Sequence, residues 1–248
     1  DWIVERLKQL PINLIAIDEA HCVSQWGHDF RPAYLKIAAL KASFPKTPFL
    51  ALTATATKRV QEDICKHLAL SNPVFFTKSF ARENLAYHVI FTEDKNYKIQ
   101  QILTKNPQSA IIYVRNRRSC IETAQHLNQL GFKSTYYHGG LPHKEKEKNM
   151  KLWLNNEAQV MVATNAFGMG IDKDNVKTVI HTQLPENLEN YYQESGRAGR
   201  NGEKAFSVLL FNNSDATQTE QQFINVLPDK KFLKTMYIKL CNYFQNRV

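Results

Sequence analysis

Two adjacent carboxylates, Asp18 and Glu19, stand directly after a short apolar run at 13–17, in the segment NLIAIDEAH. Such a run is typical of a strand that is buried on both faces of a parallel sheet. Because ligands of open parallel sheets bind beyond the carboxyl ends of the strands, both acids are well placed to meet a ligand. One carboxylate could hold Mg²⁺ as a hard oxygen ligand, and the other could take a proton from an attacking water. The structural alternative is a turn that happens to contain two acids.

An aromatic and basic stretch, SQWGHDFRPAY at 24–34, follows within a few residues. Aromatic faces such as those of Trp26 and Phe30 can stack on nucleic-acid bases of any sequence, and Arg31 could contact phosphate. In the structural alternative, Trp26 and Phe30 only pack in the core. The small and polar residues between them, Gly-His-Asp, favour a loop that meets nucleic acid.

A second charged segment, YYQESGRAGRNG, occupies 191–202. If it forms one helix, Gln193, Arg197 and Arg200 fall at i, i+4 and i+7 and share a face. Two guanidiniums that point to one place could neutralise charge that develops on a transferring γ-phosphoryl group. A solvated basic helix on the surface is the alternative.

Three further segments combine strand ends with basic or glycine-rich turns. IIYVRNRRSCIETAQHL at 111–127 places a basic turn at a helix start, where arginine forks and free backbone N–H groups suit phosphate. In YYHGGL at 136–141, the two glycines would let the backbone approach a phosphate closely. VMVATNAFGMGIDKDNV at 160–176 ends a strand at Thr164 and continues as a loop. Solvated turns and a generic glycine-rich loop are the alternatives.

The segment ALTATAT at 51–57 brings small hydroxyl residues to the end of an apolar run. Such hydroxyls could form hydrogen bonds to the acidic motif and relay the state of a bound nucleotide. Threonine also caps helices, and Thr57 could cap a helix over 56–70.

Together these segments resemble the motif series of the RecQ-family DNA helicases of superfamily 2. IAIDEAH is similar to the Walker B motif and SQWGHDFRPAY to the aromatic-rich loop of that family. The segments at 51–57, 111–127, 160–176 and 191–202 are similar to motifs III, IV, V and VI, and the resemblance covers about 12–211. The family's phosphate loop, G-x-x-x-x-G-K-[ST], and its glutamine-bearing adenine motif do not occur in the sequence. We therefore expect the upstream part of the first lobe to belong to a longer chain.

The resemblance implies a role for each matching residue. The catalytic residues would be Asp18, which holds Mg²⁺ through water, the base Glu19, the coupling residue His21, the finger Arg200 and its assistant Arg197. The nucleotide-binding residues would be Asp18, Asp172 at a ribose hydroxyl, Gln193 and Gly170. The nucleic-acid-binding residues would be Trp26, His28, Phe30, Arg31, Arg115, Asn116, His138, Gly139 and Thr164.

Alternating strand and helix patterns predict an α/β fold, and the resemblance implies tandem RecA-like, doubly wound parallel sheets. We expect an incomplete first lobe at 1–82, a complete second lobe at 83–212 and a helical region at 213–248, with the hinge near 80–84. Predicted strands lie at 13–17, 48–53, 73–77, 87–91, 109–114, 134–137, 160–163, 178–181 and 206–211. Predicted helices lie at 56–70, 96–104, 119–130, 144–155, 188–195, 218–224 and 232–244, with Gly131 ending the third.

Composition limits the partners. The formal net charge of +9 and the pI of about 9.3 favour a polyanion. No apolar run approaches the roughly 20 residues that span a bilayer, so no membrane is expected. The four cysteines are far apart, which favours reduced thiols, and only Cys241 lies where many relatives carry a four-cysteine zinc module. We expect no zinc.

The resemblance implies an ATP-dependent 3′–5′ DNA helicase in recombination and repair, with ATP and Mg²⁺ as cofactors. Its partners would be single-stranded and duplex DNA and repair proteins such as single-strand-binding protein, in a bacterial cytoplasm at the nucleoid. The alternatives are a non-catalytic nucleic-acid-binding fragment and a DEAH-type RNA helicase. The loop at 24–34 argues against the RNA helicase. ATP turnover, and its stimulation by DNA or RNA, would separate the three.

Overall fold

A computed structural model of the chain describes residues 2–25, 30–168, 171–223 and 227–245. The chain divides into two compact units, Asp1–Ala81 and Arg82–Val248. In the described part of the chain, no helix has the length and apolar character needed to cross a membrane.

The first unit is built on two parallel strands, β1 (Ile15–Ile17) and β2 (Phe49–Ala51). Its helices are α1 (Trp2–Lys8), α2 (Ala38–Ser43) and α3 (Lys58–His67), with 3₁₀ helices at Ala20–Val23 and Pro32–Ile37. One face of α3 is apolar, and Val60 and Ile64, with Leu68 just after the helix, pack with Ile17 in one core. Thr57 caps α3 as proposed, and its Oγ1 accepts a hydrogen bond from the N–H of Val60 at 3.4 Å.

The predicted strand at 73–77 is wrong. These residues form no strand, and the side chains of Val74, Phe75 and Phe76 are exposed. The aromatic and β-branched composition favours a strand, but a strand also needs a neighbour that accepts its backbone hydrogen bonds. Among the described residues, the sheet of this unit has only β1 and β2.

The second unit contains a six-stranded, wholly parallel sheet. Its strands are β3 (Leu85–Phe91), β4 (Ser109–Tyr113), β5 (Ser134–Tyr137), β6 (Val160–Ala163), β7 (Val176–His181) and β8 (Ala205–Phe211). Its helices are α4 (Lys95–Lys105), α5 (Arg117–Gln129), α6 (His143–Leu154), α7 (Leu188–Ser195), α8 (Asn213–Phe223) and α9 (Lys230–Gln245). The strand order is β3-β8-β7-β4-β6-β5, so β3 and β5 are the edges.

The apolar character of the inner strands follows from burial on both faces. Every residue of β4 is buried. Ile111 packs in one core with Trp153 of α6, and Ile112 packs in a second core with Leu103 of α4 and Leu127 of α5. The doubly wound arrangement predicted for this unit is therefore confirmed. Gly131, at φ +87°, follows α5 in the left-handed conformation that was predicted to end it.

The helix predicted at 188–195 is confirmed as α7, but it does not continue through Arg197 and Arg200. Gln193, Arg197 and Arg200 therefore do not share the face that one helix would have given them. Helix α7 ends at Ser195, and the chain then turns. Gly199 adopts φ +65°, and its N–H donates to Val176 O at 2.9 Å. A glycine can enter this left-handed region at little cost, so the turn replaces another helical turn.

The C-terminal helices are longer than predicted. Helix α8 begins at Asn213, where Asn212 Oδ1 accepts a hydrogen bond from the N–H of Asp215 at 3.1 Å. This cap places the start of α8 five residues before the predicted start at 218. The predicted final residue, Ile224, lies outside the described residues.

Candidate nucleotide and nucleic-acid sites

The two acids lie at the carboxyl end of β1, in the turn into the 3₁₀ helix Ala20–Val23. Asp18 Oδ1 accepts a hydrogen bond from the N–H of Glu19 at 2.9 Å. Glu19 adopts φ 50° and ψ 42°, a left-handed conformation that costs a non-glycine residue about 1–3 kcal/mol. The N–H of Ala20 donates to Leu52 O at 2.9 Å and holds the turn beside the strand end of β2. The fold therefore imposes an uncommon backbone conformation on the residue assigned as the base.

His21 joins this acidic turn to the 51–57 segment. Its side chain is 2% exposed, and Nδ1 lies 3.3 Å from Glu19 Oε2 and 3.0 Å from Thr53 Oγ1. The Thr53 hydroxyl in turn donates to Thr55 O at 3.1 Å. The contact supplies a physical link between the two motifs, and the coupling role of His21 stays a prediction.

The aromatic-rich loop is described only in part. Trp26 and His28 lie outside the described residues. Phe30 and Arg31 are partly buried, and the N–H of Arg31 donates to Cys22 O at 2.9 Å. Their role at DNA stays a prediction.

A cleft opens at the carboxyl ends of β4, β5 and β6, and we call it the basic cleft. Its lining residues are Arg115, Asn116, Arg117, Arg118, Gly139, Thr164, Asn165 and Ala166. Four residues predicted to bind nucleic acid, Arg115, Asn116, Gly139 and Thr164, therefore come together. Asn116 Oδ1 accepts a hydrogen bond from the N–H of Ser119 at 2.8 Å and caps the N-terminus of α5. The N-terminus of a helix carries a partial positive charge and therefore favours anions.

Hydrogen bonds hold Arg115 in this cleft, and a glycine leaves room for Arg117. Arg115 Nη2 donates to Thr219 Oγ1 of α8 at 3.1 Å, and the N–H of Arg115 donates to Gln183 Oε1, also at 3.1 Å. A methyl group on Gly140 would lie 2.8 Å from Arg117 Nη1, so Gly140 leaves room for that guanidinium. The sequence carried no signal for Gln183 or Thr219. Each is far from Arg115 along the chain, and only the folded structure brings the side chains into contact.

His138 ends β5 beside the basic cleft. Its side chain is 6% exposed, and neither ring nitrogen has a hydrogen-bond partner. Burial lowers the pKa of the imidazole, and the nearby positive charge of Arg117 lowers this pKa further. The ring stacks on Tyr136 at a centroid distance of 6.1 Å.

The two arginines of the 191–202 segment bind the loop that follows β6. Arg197 Nη1 donates to Gly168 O at 2.8 Å. Arg200 Nη1 donates to Ile171 O at 2.9 Å and to Asp172 Oδ1 at 2.8 Å. Gly170 lies outside the described residues, and Gln193 is partly buried on α7. Because Asp172 pairs here with Arg200, its role at a ribose stays a prediction.

Two residues that the sequence reasoning missed support this turn. Arg82 Nη2 donates to Gly199 O at 2.8 Å and to Ala198 O at 3.3 Å. Asn84 Nδ2 donates to Gly199 O at 2.8 Å and to Glu203 O at 2.9 Å. Both lie in or beside the predicted hinge, where nothing in the local sequence indicates carbonyl partners more than a hundred residues away.

The acidic turn offers a donor that fits magnesium. Mg²⁺ is commonly bound by one or two carboxylates together with substrate phosphates and waters, and Asp18 offers such a carboxylate. Across the described ranges, no group of three or more His, Cys, Asp and Glu side chains could hold a metal ion by itself.

Comparisons with known proteins agree with these motifs. A family model described as the DEAD/DEAH box helicase matches residues 2–64, and the helicase conserved C-terminal domain matches residues 94–202. The ATP-dependent DNA helicase RecQ of Bacillus subtilis is 44% identical over 211 residues, which cover 84% of this chain and 36% of the relative. The RecQ-like DNA helicase BLM of Xenopus laevis is 45% identical over 207 residues, which cover 82% and 15%. The chain thus spans about a third or less of these relatives.

A comparison with solved structures supports the fold. Dbp5 of S. cerevisiae, bound to RNA and ADP BeF3, superposes with a TM-score of 0.62 and 20% identity, over 91% of this chain and 62% of that chain. At this identity the likeness shows the fold alone. The predicted class, parallel α/β of the RecA-like helicase type, is confirmed.

Proposed function

The chain belongs to the RecQ family of superfamily 2 helicases, and on that basis we propose that it is part of an ATP-dependent 3′–5′ DNA helicase. Its identity to DNA helicases and the basic cleft in the second unit support this proposal. We propose roles in recombination and repair. The proposed domains are those expected from the sequence, 1–82, 83–212 and 213–248.

The basic cleft carries the nucleic-acid part of the proposal. Three arginines, Arg115, Arg117 and Arg118, line it together with the N-terminus of α5, and none of its described lining residues is acidic. Phosphate binds to such a combination of guanidinium forks, free backbone N–H groups and a helix dipole. Contacts to phosphate position a strand without reading its sequence, as a helicase that moves along DNA requires.

The proposed ATP hydrolysis would depend on the acidic turn and on Arg197 and Arg200. Mg²⁺ supplies charge neutralisation at the phosphates, and Asp18 would hold it. Glu19 would accept the proton of the attacking water, with His21 positioned 3.3 Å from its carboxylate to orient it. Arg197 and Arg200 would leave their carbonyl partners and donate to the phosphoryl oxygens, where negative charge grows.

The proposed partners are single-stranded DNA, duplex DNA and repair proteins such as single-strand-binding protein. The relatives include bacterial and eukaryotic proteins. We therefore propose that the protein is located with the cellular DNA, which in a bacterium is the nucleoid.

A binding experiment tests the nucleic-acid part. Fluorescence anisotropy of a labelled deoxythymidine oligonucleotide should show binding to this chain that weakens as salt rises. Arg117→Gln should weaken binding and lower the salt slope by about one, since one phosphate contact is lost. The control is Lys105→Gln, which removes an exposed charge at the end of α4 and should change nothing. Equal effects of both variants would contradict the cleft assignment.

A turnover experiment tests the ATP part. A version of the protein that also carries a phosphate loop should hydrolyse Mg²⁺-ATP faster with single-stranded DNA than with RNA. Glu19→Gln should abolish turnover and keep nucleotide binding, because only proton transfer is removed. Full turnover in Glu19→Gln would disprove the base, and stimulation by RNA alone would favour the RNA helicase. DNA binding without turnover would favour a non-catalytic binding module.

A further inference from the structure

His138 is an unusual residue for a phosphate-binding region, since its ring is buried and has no partner. Both nitrogens lack a hydrogen-bond partner although the side chain is 6% exposed. In a neutral imidazole, one ring nitrogen donates a hydrogen bond and the other accepts one. The His138 ring here makes neither hydrogen bond to another described residue. Buried polar groups of this kind are uncommon in folded proteins and call for an explanation.

Charged groups from two helices face this ring. Arg117 at the start of α5 and Lys146 on α6 disfavour the imidazolium, and Glu145 on α6 favours it. Lys146 Nζ also donates to Gly139 O at 2.9 Å, and Glu145 Oε1 accepts from the Tyr136 hydroxyl at 2.9 Å. The two nearby cations outnumber the one anion, and together with burial they disfavour the protonated ring in the free protein.

A phosphodiester in the basic cleft would change this balance. Arg117 lines the cleft and also acts on His138, so an anion that pairs with Arg117 offsets the charge that opposes imidazolium formation. Gly139, the residue next to His138 in the chain, also lines the cleft. A bound phosphate would thereby make the protonated ring more favourable, and Glu145 would stabilise it further.

We propose that His138 couples nucleic-acid binding in the basic cleft to proton uptake from solvent. This inference rests on the proposed nucleic-acid function of the cleft and adds a pH-dependent positioning residue to it. By linkage, a ligand that favours the protonated ring must bind more tightly as pH falls, by at most about tenfold per pH unit for one proton.

The first test measures binding and proton uptake together. Anisotropy titrations with the deoxythymidine oligonucleotide run at fixed salt from pH 5.8 to pH 8, and calorimetry in buffers of different ionisation enthalpy counts the protons taken up. The wild-type chain should gain affinity as pH falls below about 6.5, by at most about tenfold per pH unit. His138→Gln should lose most of this gain and most of the proton uptake. His88→Gln is the control, because His88 is exposed on β3, at the sheet edge opposite β5.

The second test does not depend on DNA. The His138 ring signal, assigned by its absence from the His138→Gln spectrum, is followed by NMR through a pH titration. Its pKa should be higher in Arg117→Gln than in wild type, since a repelling charge has been removed. An unchanged pKa would overturn the coupling.

The two tests separate the possible failures. Binding with the same pH dependence in wild type and His138→Gln overturns the inference and leaves the cleft assignment standing. Absence of DNA binding at every pH overturns the cleft assignment and with it the inference, even where NMR shows that Arg117 and His138 interact.

Discussion

Arg200 Nη1 lies 2.8 Å from Asp172 Oδ1, so the proposed arginine finger forms an ion pair within its own unit. The Asp172 side chain is 89% exposed, and water screens the pair. An ion pair of this kind is easily given up for a phosphate. Arg200 can thus be held in place before ATP arrives and still be released to it.

Asp172→Asn should therefore have little effect on stability. We expect the free energy of unfolding to fall by less than about 1 kcal/mol, as for other exposed pairs. Arg200→Ala should cost somewhat more, because Ile171 O also loses its donor. Urea unfolding followed by circular dichroism measures both. A loss above about 2 kcal/mol in Asp172→Asn would mean that the pair is structural.

Gly199 should be the most sensitive glycine of the turn that carries Arg197 and Arg200. It adopts φ +65°, and a methyl group there would lie 2.6 Å from Asn84 Nδ2 and 2.8 Å from Ala205 Cβ. Gly199→Ala should cost several kcal/mol, from backbone strain of about 1–2 kcal/mol plus the clash.

Gly202→Ala is the matched control for this substitution. Gly202 has a similar φ, +82°, and no atom lies within 4 Å of an added methyl group. It should lose only the backbone strain, about 1–2 kcal/mol. Equal losses of unfolding free energy in the two variants would show that Asn84 and Ala205 do not restrict the turn.

The pair Lys95 and Asp215 should contribute more to stability than the exposed ion pairs. Lys95 Nζ donates to Asp215 Oδ2 at 2.5 Å and to Thr182 O at 2.6 Å, and the Asp215 side chain is 4% exposed. Asp215 Oδ2 also accepts from the N–H of Asn212 at 2.8 Å. Asp215→Ala should cost about 3 kcal/mol, since it leaves the largely buried ammonium of Lys95 without its counter-charge.

Glu147→Ala supplies the comparison for Asp215→Ala. Glu147 pairs with Lys151 on the surface of α6, with both side chains more than half exposed. Its loss should change the unfolding free energy far less than Asp215→Ala does, because water screens an exposed pair. The double variant Lys95→Met with Asp215→Ala should recover part of the loss, because no unpaired charge remains. Failure to recover any stability would contradict the ion-pair explanation.

The elements of the second unit could be predicted because each inner strand is buried on both faces and each helix has one apolar face. β5, β6 and α7 were placed at their observed bounds on this basis. The strand at 73–77 was wrong because composition alone does not supply a pairing neighbour. The spacing of Gln193, Arg197 and Arg200 would suit one helical face, but the chain turns after α7, because Gly199 allows a turn that the contacts of Arg82 and Asn84 stabilise.

The candidate sites were predictable to the extent that they follow strand ends. Parallel strands bring their carboxyl ends to one edge, so Asn116, Gly139 and Thr164 could be grouped before any coordinates existed. Contacts between distant side chains could not be found in this way. The sequence does not show that Arg115 meets Thr219, that Asp172 pairs with Arg200, or that the His138 ring has no partner.

Stability should depend on pH through His138. Burial and the charge of Arg117 lower the pKa of this ring in the folded protein, so the unfolded chain binds the proton more readily. The unfolding free energy should hold steady above the unfolded-state pKa of about 6.5 and decrease as pH falls through it. His138→Gln should remove part of this decrease, because glutamine does not titrate, and His88→Gln should keep it. Urea unfolding at steps between pH 5.5 and pH 8 measures the slopes, and parallel slopes in wild type and His138→Gln would show that the ring is not held neutral.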